Sequence, residues 1–128
     1  YISGQFKSFM DGNDNSSRDS ILDDILYYID NNYQNNIKLE TIAPLFGYNS
    51  AYLGKLFTKE IGENFNSYVD HRRIEHSKRL LAQKNIKVYE VSEQVGYRNV
   101  DYFHKKFKKY VGISPAEYRK QLKLEAIE

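Results

Sequence analysis

The chain has 128 residues, 41% of them hydrophobic, with no cysteine and a formal net charge of +2. That length suits one compact domain or two small subdomains sharing a helix, each with a modest core. The lack of cysteine excludes a disulfide framework, a thiolate metal site and a cysteine nucleophile. With no apolar run of membrane-spanning length and no signal-peptide pattern, a soluble cytoplasmic protein without membrane contact is expected. The charge is unevenly placed. Residues 1–48 hold three basic and seven acidic side chains, whereas Gly96 to Lys123 hold eight basic and two acidic. A basic stretch joined to an acidic head is what a phosphate-binding surface on one side of a domain leaves in a sequence.

In chain order, residues 1–17 read as a linker or tail from a preceding, absent domain. They carry Gly4, Gly12 and a polar DGNDNSS run, and Phe6, Phe9 and Met10 suit the end of a helix of that domain. Ser17 or Asp19 is expected to cap a helix with Ile21, Leu22, Ile25, Leu26 and Ile29 on one face, ending near Tyr33. Leu39 to Phe46 is predicted as a short or bent helix, because Pro44 lacks a backbone donor and crowds the preceding turn. Asn49 or Ser50 caps the next helix, Ser50 to Ile61, with Leu53, Leu56 and Phe57 inward. Asn64 to Gln83 reads as a long helix, apolar at both ends and polar through its DHRRIEHSKR middle. Twenty residues give about 30 Å. Val88 to Val95 is a second bracing helix. Asn99 then caps a helix from about Val100 to Tyr110, with Tyr102, Phe103, Phe107 and Tyr110 as an aromatic stripe opposite His104, Lys105, Lys108 and Lys109. Gly112 closes it, and Ser114-Pro115 starts a last helix to about Leu124. The fold class is therefore all-α, with about seven helices. Residues 18–63 and 85–128 form two helix-turn-helix subdomains, and 64–84 the connecting helix.

The decisive feature is an internal repeat. Residues 42–62 align with 91–112, one extra residue standing in the second turn. Gly47-Tyr48 matches Gly96-Tyr97, Tyr52 matches Tyr102, Leu53 matches Phe103 and Lys55 matches Lys105. Phe57 falls on Phe107, Lys59 on Lys109, Ile61 on Val111 and Gly62 on Gly112, and the register reaches Tyr68 and Tyr118. Two copies, each a short helix, a glycine turn and a second helix with an apolar back, mean two helix-turn-helix units; a solenoid needs at least three repeats.

These residues, and above all the ending G-Y…Y-F…F-K-K…G-I-S-P…Y-R, make the chain resemble the DNA-binding domain of AraC/XylS-type transcription regulators over roughly residues 20–122. Tyr68, Arg73-Ile74 and Leu80-Leu81 add to the match. The resemblance implies an activator that contacts RNA polymerase, and for Arg73 a role that is partly structural. The start on Tyr1 rather than Met suggests a fragment with a missing N-terminal regulatory domain, for which the family's architectures offer three forms. A response-regulator receiver served by a sensor kinase ranks first, an effector-binding domain second, and a free-standing regulator third.

Base edges are reached from the N-terminal part of an inserted helix and phosphates from its flanks. The base-contact candidates are therefore Ser50, Ala51, Gly54 and Lys55 in the first unit, and Val100, Asp101, His104 and Lys105 in the second. Lys55 is the best single candidate, since a long cation can donate to guanine O6 and N7. Thr58, Lys59, Asn99, Lys106, Lys108, Lys109, Arg119 and Lys120 are phosphate-contact candidates. The long helix can set the two reading helices into neighbouring major grooves of duplex DNA, about 34 Å apart on one face.

Other classes fare worse. His71 and His76 are five apart, the wrong spacing for two ligands on one helix face, and no acidic cluster completes a metal set. No phosphate loop, dinucleotide-binding glycine pattern or nucleophile elbow occurs, so neither an enzyme nor a cofactor is expected, and the three histidines read as surface residues. The rival from another class is a helical protein–protein adaptor that kept the fold and lost DNA reading, for which Ala51, Gly54 and Asp101 speak. A single-stranded RNA binder fits less well, because the aromatics sit at buried helical spacings.

Overall fold

The computed structural model describes residues 14–83 and 85–127, with side chains for 20–83 and 85–125, and among the described residues it has seven α-helices and one 3-10 turn. They are α1 (Asp14–Asn32), α2 (Leu39–Ile42), a 3-10 segment (Ala43–Phe46), α3 (Ser50–Ile61), α4 (Phe65–Leu81), α5 (Val88–Gln94), α6 (Val100–Val111) and α7 (Pro115–Ile127). No strand occurs among the described residues, and no described helix is long and apolar enough to cross a membrane. The expected tail residues Phe6, Phe9 and Met10 lie outside the described part. Contacts divide the chain into two units. The first holds the described residues up to Asn32 with Ile37–Phe65; the second holds Tyr33–Asn36 with the chain from Asn66 onward.

Two helices differ in extent from the sequence reading. Helix α1 is already formed at Asp14, so Ser17 and Asp19 lie inside it rather than at its cap. Ser and Asp cost only tenths of a kcal/mol in a helix, and acids near the N-terminus suit the helix dipole. Helix α4 has 17 residues instead of twenty, or about 25 Å. The Pro44 bend takes a definite form. The α-helix stops at Ile42 and the chain tightens into 3-10 geometry, with proline at the start, where its missing N–H is not needed.

In the first unit Ile21, Leu22, Ile25 and Ile29 of α1 are buried, as are Ile42, Ala43, Leu53, Leu56, Phe57 and Phe65. Phe57 meets Phe65 edge to face at 5.8 Å. The core of the second unit gathers Ile74, Leu81, Val91, Val95, Tyr97, Phe103 and Phe107. Phe107 lies 5.8 Å from Phe103 and 5.6 Å from Tyr118, both edge to face, a favoured geometry for rings.

The repeat recurs bond for bond. Gly47 N donates to Pro44 O and Tyr48 N to Ala43 O, each at 3.0 Å. Forty-nine positions on, Gly96 N donates to Glu93 O at 3.1 Å and Tyr97 N to Ser92 O at 2.9 Å. Asn49 Oδ1 accepts from Ala51 N and Tyr52 N at 2.8 and 3.1 Å; Asn99 Oδ1 accepts from Asp101 N and Tyr102 N at 2.8 and 3.2 Å. Gly62 and Gly112 end α3 and α6 in left-handed geometry.

Gly96 has a second constraint. Its φ is +104°, and a Cβ there would stand 2.9 Å from Gln34 O. Gly112, in the same unit, has φ +97° but nothing within 4 Å of such a Cβ. Gly112→Ala should therefore cost only the left-handed penalty of about 1–2 kcal/mol. Gly96→Ala adds a backbone clash and should lower the urea midpoint further. Equal midpoints would contradict the close approach.

Two arginines hold helix ends in the same manner. Arg73 Nε and Nη2 donate to Tyr33 O (2.7 Å) and Asn35 O (2.8 Å), just past α1. Arg119 Nε and Nη2 donate to Leu81 O (2.9 Å) and Gln83 O (3.3 Å) at the end of α4. Terminal carbonyls lack helical partners, and a guanidinium fork can satisfy two at once. The Arg73 contacts also explain why Tyr33–Asn36 group with the second unit.

Candidate nucleic-acid interface

Each unit presents its second helix in the same way. An asparagine cap fixes the start, a buried Leu/Phe or Phe/Phe pair fixes the roll, and the opposite face is left to solvent. On α3 that face carries Ala51, Lys55, Thr58 and Lys59, all exposed. On α6 it carries Asp101, His104, Lys105, Lys108 and Lys109, also exposed. Spacings of three and four place each set on one helical face. Asp101 stands in the first turn of α6, where the helix dipole favours an acid. Ser50 and Val100, at the first helical positions, are half-buried. Lys120 is exposed on α7.

Several candidates stand elsewhere than the sequence suggested. Gly54 packs toward α2, and a Cβ on it would come within 3.2 Å of Leu39 Cδ2. Its bareness therefore serves helix packing, and its carbonyl accepts from Thr58 Oγ1 at 3.0 Å. Asn99 uses its carbonyl oxygen as the cap of α6. Arg119 clamps the end of α4. Lys106 turns inward, with Nζ 3.4 Å from Asp70 Oδ2 and 5.4 Å from the centre of the Tyr102 ring. In all four the side chain, or its absence, serves an intramolecular contact that spacing alone does not reveal.

Asp70 is the centre of a small network in the second unit. Tyr97 Oη donates to its Oδ1 at 2.6 Å, and Arg73 lies over the Tyr97 ring at 5.3 Å. Burial, reinforced by the Asp70 carboxylate, pushes the Tyr97 hydroxyl well above the usual tyrosine range. Burial works against the Lys106 charge, but Asp70 and Tyr102 outweigh it and hold its pKa above the ordinary lysine value.

The aromatic stripe of α6 is divided. Phe103 and Phe107 are fully buried, while Tyr102 is 47% exposed; its counterpart Tyr52 is 50% exposed. Each leans on the turn tyrosine of its own unit, Tyr52 stacking on Tyr48 at 6.0 Å and Tyr102 tilting against Tyr97 at 5.8 Å. Two of the histidines are packed rather than free at the surface, His76 stacking on Tyr33 at 4.1 Å and His71 against Tyr110 at 4.0 Å. Arg98, absent from the candidates, is the extra residue of the second turn and stands exposed just before the α6 cap. The one-residue insertion was the available signal for it.

Residues 42–121 match the family model for a helix-turn-helix domain. The HTH-type transcriptional regulator YdiP of Escherichia coli is 40% identical over 106 residues, 83% of this chain and 35% of its own length. The HTH-type transcriptional activator AarP of Providencia stuartii is 34% identical, over 78% of this chain and 74% of its own. Among solved structures, the C-terminal domain of the two-component response regulator yesN from Fusobacterium nucleatum superposes with a TM-score of 0.71. It is 35% identical and covers 80% of this chain and 98% of its own. The chain belongs to the AraC/XylS-type helix-turn-helix domains, a family of DNA-binding transcription regulators. It spans about a third of the length of YdiP.

Proposed function

We propose that this domain binds specific duplex DNA by laying α3 and α6 into successive major grooves, and that it activates transcription from the sites it occupies. The observation that carries this reading is the exposed face of α6. Lys105, Lys108 and Lys109 stand together there, behind a cap that fixes where the helix begins. Lys55 and Lys105 reach for base edges, Ala51 lies close enough for a thymine methyl, and His104 and Asp101 flank Lys105. Thr58, Lys59, Lys108, Lys109 and Lys120 meet phosphates. The tandem arrangement of two such helices in one chain supports reading at neighbouring grooves.

The adaptor alternative loses one of its supports, since packing against Leu39 accounts for the bare Gly54. The likeness to a response-regulator C-terminal domain supports an output role in the cytoplasm behind a receiver domain and its sensor kinase. The likeness to the activator AarP supports the activating role; contact with RNA polymerase is part of the proposal.

The test is the salt dependence of binding to duplex DNA. Each neutralised phosphate contributes about −0.9 to the slope of log K against log salt. Wild type should give a steep slope, and Lys108→Ala with Lys109→Ala should make it shallower by about 2. A flat wild-type slope, or one the pair leaves unchanged, would sink the proposal.

A further inference from the structure

Lys106 sits among the cations of α6 but occupies a different kind of position. Its partner in the repeat register is Leu56, which is 6% exposed, so this side of the reading helix faces the protein. The side chains of Lys106 and Asp70 are only 21% and 15% exposed. Both oxygens of Asp70 are engaged, one by the Lys106 ammonium and the other by the Tyr97 hydroxyl. Where the first unit has a buried leucine, the second has a charge pair joining α4 to α6, with a hydrogen bond donated from the turn to α4.

We infer that Asp70 is a specificity-determining residue: it withholds Lys106 from DNA phosphates while bracing the reading helix through Tyr97. The inference rests on the DNA-binding role proposed above. A lysine on phosphate attracts every duplex alike and adds no sequence information. Discrimination depends on the ratio of specific to non-specific affinity, so a cation removed from the non-specific part sharpens that ratio. The pair on α4 and α6 also fixes the direction in which Lys105 and His104 project.

The test is binding of a random-sequence duplex across a range of KCl concentrations by wild type, Asp70→Asn, Lys106→Leu and the double variant. Asparagine keeps an acceptor for Tyr97, and leucine is what the first unit carries at this position. Lys106→Leu should leave the wild-type slope unchanged. Asp70→Asn should steepen it by about 0.9, the increment of one further phosphate contact, with severalfold tighter binding at low salt. The double variant should return to the wild-type slope. A slope made shallower by Lys106→Leu would show that Lys106 already meets phosphate and would overturn the inference, as would an unchanged slope in Asp70→Asn. Wild type that binds no duplex would bring down the DNA-binding reading itself, and this inference with it, a result separable from the other two because it appears before any variant is compared.

Discussion

Phe107→Ala is expected to destabilise the second unit by about 3–5 kcal/mol. The ring is fully buried and touches both Phe103 and Tyr118 edge to face, so truncation removes apolar burial and two ring contacts and leaves a cavity between α6 and α7. Against a typical total of about 5–15 kcal/mol, that is enough to populate unfolded second unit at ambient temperature. Urea denaturation followed by circular dichroism should show the loss. Tyr102→Ala, at a half-exposed position in the same stripe, should cost far less. Similar losses for the two variants would mean that the core is centred elsewhere.

The second large effect concerns recognition. Lys55→Ala and Lys105→Ala should each weaken binding to a selected duplex by about 1–3 kcal/mol, roughly 5- to 150-fold, and relax preference at one half-site only. The two residues lie in different units and share no partner, so the double variant should lose about the sum, 2–6 kcal/mol. Both side chains are exposed, so thermal unfolding should be unchanged. Fluorescence anisotropy on matched and half-site-scrambled duplexes gives the measurement. A uniform loss on all duplexes would place both lysines on phosphate instead.

Much of the fold was legible because it is local. The glycine turns, the asparagine caps, the proline start of α7 and the 3.6-residue apolar rhythm are each set by a few adjacent residues, and the repeat offered two independent views of the same unit. What sequence could not show was which polar side chains turn inward. Lys106 looks like its neighbours Lys105 and Lys108 until Asp70, 36 positions earlier, is brought beside it. The register did hold a clue, since Leu56 stands at the same place in the first unit. Arg119 likewise reads as one more cation until the end of α4 lies under its guanidinium. Gly54 reads as a bare position on the reading helix until Leu39 is brought across the helix crossing. The outward faces of α3 and α6 were readable from periodicity; the bases they read are set by DNA, which the chain does not encode.

Bipartite reading, with each unit taking its own half of the site, is the core of the proposed function. Selection of duplexes from a random pool, run with wild type, Lys55→Ala and Lys105→Ala, tests it most directly. Wild type should enrich a site with two half-motifs about 10 bp apart, one lost with each variant. Binding that enriches no sequence, or a single motif insensitive to both substitutions, would contradict it.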